Sequence, residues 1–325
     1  MDALRVEDLH VCFQTKKGNK IAVDGVSFSV KSGEVFGLVG ESGCGKSVTS
    51  MSILKLIEPP GKIVRGNIVV NGEDITGYSE KQMQKKIRGS KISMIFQEPM
   101  TSLNPLITIG EQISETIRVH RRLSKAEART EAIKQLRNVG IPMAEKHYDS
   151  FPHSLSGGMR QRVMIAIAIA CNPEILIADE PTTALDVTIQ AQILELMKQV
   201  KNETGTSVIL ITHDLGVVAN MCDRVAVMYC GKIVEEGKTE DILNNPQHPY
   251  TKGLIASVPD ISEEKETLYN IRGTVPQIYE GIKGCSFFNR CDNCMKKCKD
   301  ETPELYVLND YHKVACHLYG GHSNE

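Results

Sequence analysis

The sequence predicts an α/β protein built on a parallel sheet, and three observations predict it. Apolar runs of strand length recur between stretches of helical spacing, at residues 34–39, 91–96, 174–178, 207–211 and 225–229. Strands alternating with helices argue for a parallel core, and near-continuous apolar runs fit strands buried on both faces. The first of these runs also leads directly into Gly40-Glu-Ser-Gly-Cys-Gly-Lys-Ser47, after which the spacing turns helical. Finally, 325 residues suffice for about two domains with a sizeable core.

The elements follow in order. Residues 4–31 alternate apolar and polar side chains (LRVEDLHVCF, then IAVDGVSFSV) and read as antiparallel strands. EVFGLV (34–39) is a buried strand, and KSVTSMSILKL (46–56) is the helix opened by the glycine loop. Pro59-Pro60-Gly61 ends that helix. IVVNG (68–72) reads as a strand and turn, and KISMIF (91–96) as a strand ending at Gln97. Residues 108–146 are helical and highly charged, a helical insertion. EILIA (174–178), SVILI (207–211) and VAVMY (225–229) restore the strand pattern, with a helix over 188–201. From about Pro246 the texture changes to Pro, Gly, Cys and charge, which predicts a small appended domain.

Composition narrows the function classes. Lys+Arg is 38 against Asp+Glu 40, a formal charge of -2, so nothing in the overall balance favours nucleic acid. No stretch approaches the ~20 apolar residues of a membrane helix. The start, MDALRVEDLHV, is acidic early and lacks an apolar core, unlike a secretory signal. A cytosolic protein is expected, and docking on a membrane protein needs no spanning segment. Ten cysteines are unlike a disulfide framework in a reducing compartment. Five of them, Cys285, Cys291, Cys294, Cys298 and Cys316, crowd the last 41 residues, which points to metal.

Three motifs carry chemistry. In the loop formed by Gly40, Glu41, Ser42, Gly43, Cys44, Gly45, Lys46 and Ser47, with Val48 following, the glycines let backbone N–H groups approach phosphates. The helix start adds its positive dipole. Lys46 reaches β- and γ-phosphates and Ser47 ligates Mg²⁺. In ILIADE (175–180) a buried strand delivers Asp179 to the Mg²⁺ and Glu180 to an attacking water. In LSGGMRQR (155–162), Ser156, Gly157 and Gly158 precede a helical run and form a second helix N-terminus with exposed amides, a second anion site.

LSGG resembles the signature sequence of the ATP-binding cassette ATPases, and the resemblance spans roughly residues 4–240. It implies a P-loop NTPase (RecA-like) core with an antiparallel β subdomain, a helical subdomain at about 100–165 and a small Cys-rich C-terminal extension. The implied boundaries are 1–245 for the ATPase domain and 246–325 for the extension. Gln97 resembles the Q-loop glutamine that touches Mg²⁺ and water and faces the transporter. His213, in ITHD, resembles the switch histidine near the γ-phosphate. Ala184-Leu185-Asp186 resembles the D-loop that crosses the dimer interface. Phe13 lies where the family places an aromatic, usually Tyr, that stacks on adenine; it is otherwise a core residue. The implied mechanism sandwiches ATP between one subunit's P-loop and another's LSGG. Glu180 acts there as general base or water-orienting group with His213, and Lys46 and the 156–158 amides stabilise transition-state charge.

NPQHPYTKGL (245–254) resembles the C-terminal extension of oligopeptide and dipeptide permease ATPases, importers whose subfamily also handles nickel and some sugars. EPMTSLNP (98–105) and ADEPTTALDVTIQ (178–190) look like the same subfamily. The resemblance implies an energy-coupling subunit paired with a similar ATPase or with itself, at the cytoplasmic face of the membrane. Two permease subunits and an extracytoplasmic substrate-binding protein are implied beside it, and no nucleic acid. The region 97–111 is expected to make the membrane-protein contact. The subfamily's C-x5-C-x6-C-x17-C spacing matches Cys285, Cys291, Cys298 and Cys316. It implies a [4Fe–4S] cluster, with Zn²⁺ as the alternative and free thiols as the third. Cys294 departs from that spacing and leaves the ligand set open. Other readings are the same ATPase role in a nickel importer, a soluble cassette ATPase on DNA or ribosomes, and a redox- or metal-sensing regulator.

Overall fold

The computed structural model describes residues 1–16, 18–183, 185–258, 269–276 and 283–320. β1 (Asp2–Thr15) and β2 (Gly18–Lys31) form from the alternating N-terminal segment. β3 (Val35–Val39) is buried at all five positions, as a run without polar alternation requires. The glycine loop follows, then α1 (Lys46–Ile53), β4 (Gly61–Val70) and β5 (Glu73–Asp74). The helix expected to reach residue 56 ends at Ile53, because Leu54 is already its C-cap and Lys55 turns into positive φ.

The region expected to be helical is three helices, the first two with side-chain caps at their starts. After α2 (Glu80–Lys86), β6 (Ile92–Ile95) and the short α3 (Pro99–Ser102) come α4 (Ile109–Arg121), α5 (Lys125–Asn138) and α6 (Ala144–Tyr148). Thr108 caps α4 by accepting from Glu111 N–H, and Ser124 with Glu127 forms a capping box on α5. Arg122, in the left-handed region, ends α4.

The chain continues through α7 (Gly157–Ile169), β7 (Ile175–Asp179), α8 (Val187–Thr204), β8 (Ser207–Thr212), α9 (Leu215–Met221) and β9 (Arg224–Tyr229). Then follow β10 (Lys232–Lys238), α10 (Thr239–Asn244), α11 (Pro249–Ala256), β11 (Tyr306–Val307) and β12 (Lys313–Val314).

Contacts divide the chain into two units. The first comprises Met1–Ala3, Val30–Glu34 and Gly77–Leu210. In it β6 pairs with β7 in parallel, Ile92 opposite Ile175 through Ile95 opposite Ala178, and β8 follows beside β7. Ile109, Ile113 and Ile117 of α4 recur every fourth residue and are fully buried, as are Ala128, Ala132 and Leu136 of α5. These facing stripes pack α4 on α5. Within that core the Ser114 and Tyr148 hydroxyls hydrogen-bond at 2.8 Å, so neither buried oxygen is left unmet.

The second unit comprises Leu4–Ser29, Val35–Thr76 and Ile211–Glu325. One sheet runs β2–β1–β4–β5, with β1–β4 and β4–β5 antiparallel. The other strands run β11–β12–β10–β9–β3, with β3 and β9 parallel and the remaining pairs antiparallel. The expected C-terminal extension thus returns to the sheet, Val314 pairing with Glu235 of β10. Glu235 is fully buried, and three groups from further along the chain meet its carboxylate. Its carboxylate accepts from Gln247 N–H (2.7 Å) and His248 N–H (2.9 Å) and contacts His312 Nε2 at 2.7 Å. A buried carboxylate is tolerated only when its oxygens are met in this way.

Candidate functional site

In the second unit the loop 40–47 joins β3 to α1. Gly40 takes φ 149°, and a Cβ there would lie 2.3 Å from the Met228 carbonyl oxygen; only glycine fits. Gly43 also has positive φ, but nothing lies within 4 Å of where its Cβ would be. The space on that side of its backbone is therefore open. Lys46 is buried, and its ammonium donates to the carbonyl oxygens of Gly40 (2.8 Å) and Glu41 (3.1 Å). Cys44 is buried beneath the loop and its thiol is pushed up by desolvation. Ser47 is half-buried in the first turn of α1.

The loop is held from the C-terminal side as well. Glu41 N–H donates to the Tyr250 hydroxyl at 2.8 Å. The Glu41 carboxylate accepts a two-pronged pair from Arg290, Nη1 at 2.7 Å and Nη2 at 3.0 Å. Neither Arg290 nor a role for Tyr250 was legible in the sequence, because contacts across 249 and 209 residues leave no local pattern. Phe13 is half-buried opposite Gly61 in the β1–β4 pairing, its ring over the glycine. His213 is exposed at the end of β8, immediately before Asp214, which caps α9 by accepting from Gly216 and Val217 N–H.

In the first unit β7 is buried along its whole length and ends at Asp179, itself buried. Glu180 follows with φ 46°, a conformation that costs a non-glycine residue about 1 kcal/mol or more and that clusters at functional positions. Its Oε2 accepts from Gln97 Nε2 at 3.1 Å and from Thr183 Oγ1 at 2.9 Å. Gln97 sits just past β6, the parallel neighbour of β7, so adjacent strands deliver both partners. Thr183 carried no signal beyond its place in the ADEPTT run.

Ser156 caps α7, its Oγ accepting from Met159 N–H. Gly157 has no atom within 4 Å of a would-be Cβ, whereas at Gly158 a Cβ would lie 2.9 Å from Ile189 Cγ2. The first glycine faces open space; the second lets α7 pack on α8. Asp186 caps α8 by accepting from Ile189 N–H at 2.9 Å. Ala184 lies outside the described residues.

Cys285, Cys291, Cys298 and Cys316 line one small cavity together with His248, Phe287 and His317. Burial, then the neighbouring thiols, pushes Cys285 up to about 12, and burial also raises Cys291 and Cys316. Cys294 is exposed and does not line that cavity. Among the described residues no group of three or more His, Cys, Asp or Glu is arranged to hold a metal ion. No helix among the described residues is long and apolar enough to cross a membrane.

Comparison with known proteins adds independent findings. A family model described as ABC transporter matches residues 23–183, and one described as oligopeptide/dipeptide transporter, C-terminal region, matches 234–298. The chain is 52% identical to the dipeptide transport ATP-binding protein DppD of Bacillus subtilis (strain 168) over 97% of this chain and 94% of that one. It is 47% identical to DppD of Escherichia coli (strain K12) over 98% and 97%. Among solved structures it resembles a dimeric ATP-binding cassette in a post-hydrolysis state bound to ADP and Pi. That match has TM-score 0.66 and 29% identity, covering 73% of this chain and 98% of that one.

Proposed function

The chain belongs to the ATP-binding subunits of ABC transporters, in their oligopeptide and dipeptide transport branch, and from that premise we propose that it hydrolyses ATP to drive import of di- and oligopeptides. The single observation that carries the reading is the hydrogen bond of Gln97 to the strained Glu180 at the end of a buried strand. That is the arrangement a water-orienting carboxylate needs. The peptide assignment is supported by similarity to dipeptide transport proteins over nearly the whole chain.

The proposed roles follow the chemistry of each group. Lys46 and the amides of the loop bind phosphates, with Phe13 at the adenine. Ser47, Asp179 and Gln97 serve Mg²⁺, and Glu180 orients water with His213 near the γ-phosphate. Ser156, Gly157 and Gly158 serve the nucleotide of a paired ATPase, either a similar chain or a second copy, and Asp186 lies on that interface. Two permease subunits and an extracytoplasmic binding protein complete the assembly, with this chain on the cytoplasmic face. Residues 1–245 form the ATPase domain and 246–325 the extension. In the extension four thiols on one cavity are the donor set of a [4Fe–4S] cluster or of Zn²⁺. When bound, such a group would cross-link the segment and favour its thiolates.

The test is uptake in cells lacking this chain, with a labelled dipeptide, a labelled longer peptide and ⁶³Ni²⁺. Peptide uptake should be lost and be restored by wild type but not by Lys46→Ala. Loss of nickel uptake alone would reassign the cargo, and no loss of either would remove the import reading.

A further inference from the structure

Glu41 is the second residue of the phosphate loop, and each of its polar groups is taken by a different part of the second unit. Its carbonyl oxygen accepts from Lys46 (3.1 Å), the side chain proposed to bind phosphate. Its N–H is taken by Tyr250 and its carboxylate by Arg290. The guanidinium is buried, and its remaining donors are fixed by Arg272 O (2.8 Å), Gly273 O (3.3 Å) and Tyr229 Oη (3.4 Å). Tyr229, Tyr250 and Phe287 pack against one another, tilted or edge-on, with ring centroids 4.6 to 5.4 Å apart, and the guanidinium lies over the Tyr229 and Phe287 rings. A two-pronged, largely buried arginine–carboxylate pair has a rigid geometry and is stronger than an exposed ion pair.

A carboxylate at this place opposes the loop's chemistry. Phosphates carry negative charge, and an unpaired Glu41 beside them repels them through a partly desolvated medium. We propose that Arg290 is a positioning residue for the nucleotide: it cancels the charge of Glu41 and, with Tyr250, holds the loop backbone in the phosphate-binding shape. The segment that supplies it is the cysteine segment. Arg290 precedes Cys291, and Cys285 N–H donates to Cys298 O at 2.8 Å. ATP affinity is therefore set partly by a residue about 250 positions from the loop it steadies.

The inference rests on residues 40–47 being the ATP cradle, and the experiment separates the two. Affinity of the purified full chain for MgATP is measured by calorimetry for wild type, Lys46→Ala, Arg290→Met, Arg290→Lys, Glu41→Gln and the Arg290→Met/Glu41→Gln double variant, each first checked by thermal melting. Loss of binding in Lys46→Ala alone establishes the cradle, whatever Arg290 does. Arg290→Met should weaken affinity about 10-fold, and Arg290→Lys, which keeps charge but loses the fork, less. Arg290→Met should cost far less affinity in the Glu41→Gln background than in the wild-type background, whatever Glu41→Gln does by itself. Arg290→Met that melts like wild type and binds equally well overturns the proposal. So does an equal loss in both Glu41 backgrounds, the result of a merely structural role. If Arg290→Met fails to fold, Arg290→Lys measured with and without Glu41→Gln decides by the same criterion.

Discussion

Gln97 Nε2 donates to Glu180 Oε2 at 3.1 Å, joining the loop after β6 to the residue that ends β7. The bond holds a carboxylate whose backbone is already in the left-handed region. Orientation is thus set by φ, by the glutamine and by the Thr183 hydroxyl, which donates to the same oxygen. A base that has to be aimed benefits from such preorganisation.

Glu180→Gln should retain ATP binding, lower single-turnover hydrolysis by about 10²- to 10⁴-fold, and accumulate an ATP-bound dimer on a sizing column. Near-normal turnover in this variant would remove Glu180 from the role.

The paired glycines of the signature should separate by substitution. Gly158→Ala places a methyl 2.9 Å from Ile189 Cγ2 and should cost about 1–2 kcal/mol of stability by overpacking, relieved by Ile189→Ala. Gly157→Ala meets nothing within 4 Å. It should leave urea unfolding unchanged while lowering ATPase activity of the assembled transporter. Equal destabilisation by both would show that the open face at Gly157 is packing space.

His248 makes stability pH-dependent. Its Nδ1 accepts from Tyr250 N–H at the start of α11, which requires the neutral ring, and burial holds its pKa down to about 3. The unfolded chain takes up this proton below about pH 6.5. The contribution is therefore fully present above 6.5 and falls as pH drops toward 3, by about 1.4 kcal/mol per unit. Between pH 7.5 and 5.0 wild type should lose about 2 kcal/mol more than His248→Asn, which keeps a capping acceptor. Parallel urea midpoints for the two proteins would contradict this.

The cysteines should divide by the cavity they line. Cys298→Ser and Cys285→Ser should lose any iron or zinc found in anaerobically purified wild type, and should melt several degrees lower. Cys294→Ser, exposed and outside that cavity, should keep both metal and melting point. Wild type free of both metals would overturn the ligand assignment.

Much of the site was legible because its signals are local. Positive-φ glycines, a buried run ending in acids, and Ser or Asp caps two or three residues before the amides they bind are all written within a few neighbouring positions. Ser156, Asp186 and Asp214 occupy the places that their cap chemistry requires. The helical region was legible as a region, and the caps at Thr108 and Ser124 mark where its first helices start. Apolar spacing from Lys46 continues past Ile53, but the backbone turns at Lys55 and ends the helix.

The sequence by itself determined the strand–loop–helix cradle, the acid pair, the signature and the cysteine spacing, since each depends on neighbours a few residues away. Only the tertiary structure decided what completes them. Arg290 closes on Glu41, Tyr250 takes the loop's amide, Glu235 gathers Gln247, His248 and His312, and four cysteines line one cavity. The hydrogen-bonded partners among them lie from 12 to 249 residues apart. At such separations contact depends on how strands pair and rings pack, and spacing along the chain no longer encodes it.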